Sequence, residues 1–176
     1  MKNLKKFVAL LLAGVMAMVL LTACGGGGNG TDETKQEMAF DTIRRRSQQV
    51  DQASVTENDK ELQRIAEGHL QEDLNASVEF FGAKWVAGFH VDGSEKDEHL
   101  TITATSSYTG GYFIKKLVDG LQAWVGSEEL PDTNVDLKAK GSWTKLGVVV
   151  RTDPKTKHSY MAIAFQIANP KYNGNK

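Results

Sequence analysis

Apolar side chains recur at helical spacing most clearly between Leu62 and Leu74. Within that stretch, apolar residues and His69 fall at i, i+3, i+4, i+7, i+8 and i+12, which predicts one continuous helical face. Asn58, with Glu61 three residues later, resembles a capping box at the start of this helix. His69 is interpreted as a packed histidine with a local partner.

Two weaker patterns predict further helices. One covers residues 38–49, with Phe40, Ile43 and Val50 on its apolar side. The other covers residues 112–124 and has a broader apolar face. The polar stretch over residues 31–37 is predicted to be loose.

Alternating and β-branched segments predict four strands. They cover residues 84–91, 100–105, 143–151 and 159–167. Turn residues separate each pair, Asp92-Gly93 in the first and Pro154 in the second. The order helix, helix, strand, strand, helix, strand, strand predicts an α+β fold in which helices pack on an antiparallel sheet.

The N-terminus has the layout of a secretory signal. Three lysines precede an uncharged apolar stretch, and the only cysteine closes the run Leu21-Thr22-Ala23-Cys24. This run resembles the bacterial lipobox, in which the peptidase cuts before a cysteine that carries diacylglycerol. The resemblance implies a signal peptide over residues 1–23 and lipidation of Cys24. The protein would then be anchored in the bacterial cell membrane and face away from the cytoplasm.

A tether over residues 24–37 and a single domain over residues 38–171 complete the predicted organisation. Residues 1–23 hold three of the 21 basic residues and no acid, so 18 basic and 22 acidic residues would remain. This negative balance argues against nucleic acid as a partner. Membrane lipid, reached through Cys24, and an envelope or extracellular ligand are the expected partners.

Three segments of the predicted domain, read in order, resemble the CAP superfamily, also called SCP-like. They cover residues 55–69, residues 118–127 and the hairpin that starts at Trp143. The resemblance implies an α-β-α sandwich with a ligand groove, which His90, Trp124 and Ser127 would line. Fuller members carry two histidines and two acids in that groove. Here Ser127 stands where an acid is expected, and no histidine lies between Ser127 and Trp143, where the second one is expected.

The missing groove residues favour a non-catalytic, ligand- or partner-binding domain without a cofactor. The alternative is a hydrolase of cell-envelope polymer that uses His90 with a hairpin carboxylate, Glu98, as its acid–base pair. His90, Glu98 and His99 match no known zinc spacing, so no metal site is predicted. Trp85, Trp124 and Trp143 are interpreted as core residues. A different α+β fold, cystatin-like or transport-factor-like, would cover only one face of its sheet.

Overall fold

The computed structural model describes residues 30–80, 83–94, 96–108, 139–169 and 171–172. Several features predicted from the sequence lie outside these residues. They are the signal peptide, Cys24, the helix over residues 112–124 and the groove candidates Trp124 and Ser127.

Two helices and six strands occur among the described residues. In chain order they are α1 (Asp32–Arg46), α2 (Lys60–Ala76), β1 (Glu79–Phe80), β2 (Ala83–Lys84), β3 (Ala87–Asp92), β4 (His99–Tyr108), β5 (Trp143–Thr152) and β6 (Ser159–Ala168). Four strands form an antiparallel sheet in the order β3-β4-β6-β5, and β1 pairs with β2 separately. The predicted α+β class is confirmed. Neither described helix is long and apolar enough to cross a lipid bilayer.

Helix α1 begins at Asp32, earlier than the apolar pattern predicts. Thr31 caps it, because the Thr31 hydroxyl accepts a hydrogen bond from the backbone N–H of Thr34 at 3.3 Å. Acidic residues in its first turn and arginines in its last turn both complement the helix dipole. The prediction that residues 31–37 are loose was wrong, since it weighed apolar spacing and overlooked the cap.

Asp59, and not Asn58, caps helix α2. The Asp59 carboxylate accepts hydrogen bonds from the backbone N–H groups of Glu61 at 3.0 Å and Leu62 at 2.9 Å. Asn58 instead pairs with strand β5. Its amide donates to the Val148 carbonyl at 3.0 Å and accepts from the Val148 N–H at 2.7 Å. Both residue types are good caps, so only the packing of α2 beside β5 separates their roles.

Helix α1 covers one face of the sheet with a continuous apolar core. Phe40 and Ile43 of α1 pack against this face, and Trp143 stacks on Phe165 with ring centroids 3.8 Å apart. Phe89 lies partly buried at the margin. The interpretation of Trp143 as a core residue is confirmed. The remaining buried members are Ala39, Val50, Val55, Leu100, Ile102, Leu146, Val148, Val150, Met161, Ile163 and Ile167.

Helix α2 covers the opposite face of the sheet. The strand residues that it contacts, such as Val149 and Ala162, alternate with residues of the first core, and successive side chains of a strand point to opposite sides. Small side chains let the helix approach the sheet. At Gly147 the approach is so close that an added Cβ would lie 2.5 Å from the Cβ of Leu62. The described sheet is thus a middle layer between two helices, unlike the one-sided alternatives. The buried residues here are Leu62, Ala66, Leu70, Val86, Val149, Tyr160, Ala162 and Ala164.

The strands differ from their predicted bounds mainly at the first one. The predicted strand over residues 84–91 is interrupted, because Trp85 and Val86 separate β2 from β3. Strand β4 is longer than predicted, and β5 and β6 each extend one residue beyond the predicted hairpin. Gly93 has a φ of 122°, so the turn after β3 uses the backbone freedom that the Asp-Gly pair predicted.

Candidate functional site: two stacked histidines among carboxylates

Polar side chains interrupt the contact between helix α2 and the sheet beside strand β3. Helix α2 contributes His69, Glu72 and Asp73, and β3 contributes His90 and Asp92. We call these five residues the histidine cluster. The helical residues are three and four positions apart, and the strand residues are two apart. Each set therefore lies on one side of its element, and the two sides meet.

His69 is held by a carboxylate at each ring nitrogen. Its Nε2 lies 2.9 Å from Asp92 Oδ2, and its Nδ1 lies 3.2 Å from Glu72 Oε2. Burial lowers the pKa of His69, but the hydrogen bonds and charges of Asp92 and Glu72 outweigh burial, so the pKa is raised above its usual value. The expected local partner is confirmed in Glu72, and Asp92 is a second, distant partner.

His90 is oriented by Asp73 from the helix above it. Its Nε2 lies 2.9 Å from Asp73 Oδ2, and the same oxygen accepts a hydrogen bond from the hydroxyl of Thr105. Thr105 belongs to β4 and thus ties the carboxylate to the sheet. The His90 side chain is 25% exposed and that of Asp73 is 19% exposed, so solvent still reaches the pair.

Gly88 makes room for the Asp73 carboxylate. An added Cβ at this position would lie 1.9 Å from Asp73 Oδ2 and 2.7 Å from Thr105 Oγ1. Because real side chains do not come this close, any residue other than glycine would push the Asp73 carboxylate away from the strand. The absent side chain on β3 is therefore a condition for the contact between Asp73 and His90.

The two imidazole rings stack on each other. Their centroids are 4.0 Å apart, and their planes differ by 12°. An aspartate is hydrogen-bonded to Nε2 of each ring, so Nδ1 is the nitrogen of each ring that remains for another partner. Nδ1 of His69 faces Glu72, and none of the described residues hydrogen bonds to Nδ1 of His90. Three carboxylates beside two imidazoles make the site negatively charged, which suits a cation.

The structure places His90 in this cluster but does not bring the other described candidates to it. Glu98 is exposed before β4, where its carbonyl accepts the N–H of Asn169 at 2.9 Å. Among the described contacts, the acid bonded to His90 is Asp73 and not Glu98. His99 begins β4 and pairs with Ala168.

Sequence reasoning missed most of the cluster. It treated His69 as a packed residue and Asp92 as a turn residue, and it assigned no role to Glu72, Asp73 or Thr105. A signal was nevertheless present, because a His-x-x-Glu-Asp segment interrupts the apolar face of α2. The residues at i, i+3 and i+4 of a helix face one neighbour, so such a segment indicates a polar site on the element that the helix covers.

No protein-family model matches this chain. No curated protein and no solved structure matches it either. The geometry of the histidine cluster and the N-terminal sequence are therefore the basis for assigning a function.

Proposed function

We propose that this protein is a lipid-anchored, extracytoplasmic lipoprotein with a CAP-like domain that binds a ligand or partner without catalysis. The N-terminal run that ends in Cys24 supports the anchor, because basic, apolar and small residues follow one another as in a lipoprotein signal. The helix on each face of the antiparallel sheet supports the CAP-like layout. Lipid on Cys24 would hold the domain at the outer side of the cell membrane.

The histidine cluster is the observation that carries the binding role. Both histidines are fixed by aspartates and partly open to solvent, which suits the capture of a ligand. Within the described part of the chain, His69 and His90 contact carboxylates and each other's ring, and neither ring is hydrogen-bonded to a serine or threonine hydroxyl. A histidine that activates a hydroxyl nucleophile would need that contact. Among the described residues, preorganised histidines without a bonded hydroxyl therefore favour binding.

The anchor is tested by changing Cys24 to Ser in the full-length chain. Cells are fed an alkyne-tagged palmitate, and the label on the protein and its share in the membrane fraction are measured. The wild type is expected to carry label and to sediment with membranes, and the variant is expected to lose both. Thr22→Ser is the matched control, because it keeps a small residue before the cysteine. Label that persists in Cys24→Ser contradicts the anchor.

A hydrolase remains the second candidate, and the contact between Asp73 and His90 is the observation that favours it. A carboxylate that fixes the tautomer of a histidine is a common support for acid–base catalysis. Protein with and without chelator treatment is incubated with purified peptidoglycan, and soluble fragments are measured. Binding without catalysis predicts no release above the His90→Ala background. Release by the wild type that His90→Ala abolishes would replace the binding proposal with the hydrolase.

A further inference from the structure

We propose that His69, Glu72 and His90 bind one divalent transition-metal ion of the zinc type. The inference rests on the proposed binding role and names the ligand that this site takes. It also departs from the sequence prediction, which expected no metal. That prediction considered His90 with Glu98 and His99, whereas the folded chain brings His90 to two residues of helix α2.

The separation of the ligand atoms fits a small ion. One atom of each of the three side chains lies within 4.8 Å of the others. Tetrahedral bonds of about 2.0–2.1 Å to nitrogen or oxygen place neighbouring ligand atoms about 3.4 Å apart. Nδ1 of His69 and Oε2 of Glu72 are already 3.2 Å apart. To complete the set, the His90 ring must tilt out of its stack on His69, because the in-plane lone pairs of two parallel rings do not meet at one point.

The groups behind the ligands are those that metal sites use to orient histidine. Nε2 of His69 lies 2.9 Å from Asp92, and Nε2 of His90 lies 2.9 Å from Asp73. A ring that donates from Nε2 to a carboxylate presents the lone pair of Nδ1, and this pairing also makes the ligand more basic. Thr105 holds Asp73 in turn. Both rings therefore offer the same nitrogen, Nδ1, to an ion.

The chemistry of the donors selects the ion. Two imidazole nitrogens and one carboxylate suit zinc and similar transition metals, whereas calcium and magnesium prefer oxygen ligands. Glu72, Asp73 and Asp92 supply negative charge that offsets the charge of a divalent cation. Three protein ligands leave one coordination position for water or for a group of another molecule.

The test is calorimetric titration of Zn²⁺ into the full-length chain, purified in detergent and stripped with chelator. One Zn²⁺ per chain is expected, and Mg²⁺ under the same conditions is expected to give no heat. His69→Gln, Glu72→Gln and His90→Gln are each expected to weaken Zn²⁺ binding by more than about 100-fold. Asp73→Asn is expected to weaken it by about 10–100-fold through the orientation of His90. His158→Gln, at an exposed histidine outside the cluster, is the matched control and keeps wild-type affinity.

A spectroscopic measurement on the wild type guards against variants that fail to fold. Zn²⁺ is expected to shift the ¹⁵N resonances of Nδ1 in His69 and His90, while Nε2 keeps the signature of a hydrogen-bonded N–H. No stoichiometric binding, binding that survives both histidine changes, or shifts confined to other histidines would overturn the proposal. The palmitate experiment and the chelator-treated peptidoglycan samples need no metal, so the metal site and the proposed function fail independently.

Discussion

The two faces of the sheet are built on different principles although each carries one helix. The face towards α1 holds a continuous apolar core in which Trp143 and Phe165 stack. It also has polar contacts, where Asp32 and Lys35 of the helix reach Thr152 at the end of β5. The face towards α2 is also apolar along most of the helix, from Leu62 over Gly147 to Leu70, but this apolar strip does not extend to β3. Near β3 the same helix presents histidine and carboxylates.

The difference shows how one architecture separates stability from chemistry. Apolar burial is non-directional, so the α1 face needs only volume and close packing. The histidine cluster needs specific partners at each nitrogen and a glycine that lets a carboxylate approach. The α1 face is therefore expected to control the free energy of unfolding, and the α2 face near β3 is expected to control binding and the response to pH.

The largest effect is expected from a substitution that removes a buried side chain from the core under α1. Phe165→Ala removes a fully buried ring that stacks on Trp143, and we expect the free energy of unfolding to fall by about 3–5 kcal/mol. Urea unfolding measures the change. Met38→Ala, at a side chain that is 56% exposed, is the control and should cost little. A loss below about 1 kcal/mol for Phe165→Ala would show that this face is not the main core.

Next in size is a glycine pair that probes the contact of α2 with the sheet. A Cβ at Gly147 would lie 2.6 Å from the Leu62 backbone carbonyl carbon, so Gly147→Ala must move the helix. We expect a loss of about 1–3 kcal/mol in urea unfolding. Gly68→Ala is the matched control, because Gly68 lies within α2 with nothing within 4 Å of the added Cβ. It should gain about 0.5–1 kcal/mol. Equal effects at the two positions would contradict the close approach.

A third substitution, Gly88→Ala, separates the binding site from the core. The added Cβ meets the ends of the Asp73 and Thr105 side chains, which can move aside. We expect a stability loss of about 1 kcal/mol, smaller than at Gly147, together with loss of the hydrogen bond between Asp73 and His90. Urea unfolding and the ¹⁵N signals of the His90 ring measure the two effects. An unchanged His90 signal would mean that Gly88 does not position Asp73.

The smallest expected effect is a pH dependence of stability that comes from the histidine cluster. Burial lowers the pKa of His69 but Asp92 and Glu72 outweigh it, so the folded-state pKa is above the unfolded value. Protonated His69 therefore stabilises the fold below about pH 6.5, and this contribution is lost as the pH rises through the raised pKa. His90 stacks on the His69 ring, and Asp73 is hydrogen-bonded to His90, so both groups are part of the electrostatic surroundings of His69.

The measurement is urea unfolding across this pH range with a chelator present, which keeps metal off the ring. Stability is expected to fall as the pH rises above about 6.5, and Asp92→Asn is expected to reduce the slope. Phe165→Ala should lower stability equally at every pH. A slope of the opposite sign, or one that Asp92→Asn leaves unchanged, would contradict the role of the aspartate.

Much of the fold could be predicted because its signals are local. The apolar spacing from Leu62 to Leu74 predicted helix α2, and alternation predicted β5 and β6 to within one residue. The start of α1 was missed because the cap at Thr31 lies in a polar stretch that looks like a linker. Of the candidate site, His90 was predicted from the sequence. Glu98 was predicted as its acidic partner because it is near in sequence, whereas the structure pairs His90 with Asp73.

The sequence by itself determined the α+β class and the order of the two described helices and the four strands of the main sheet. It also carries the signal from which a lipid anchor at Cys24 is proposed. Only the tertiary structure decided that His69 and His90 stack, because they lie on a helix and a strand whose relative position depends on packing. Local patterns record which side of an element a residue takes. Which residue a side chain then contacts is decided by the packing of the three layers and, at Gly88, by the close approach of Asp73 to the strand.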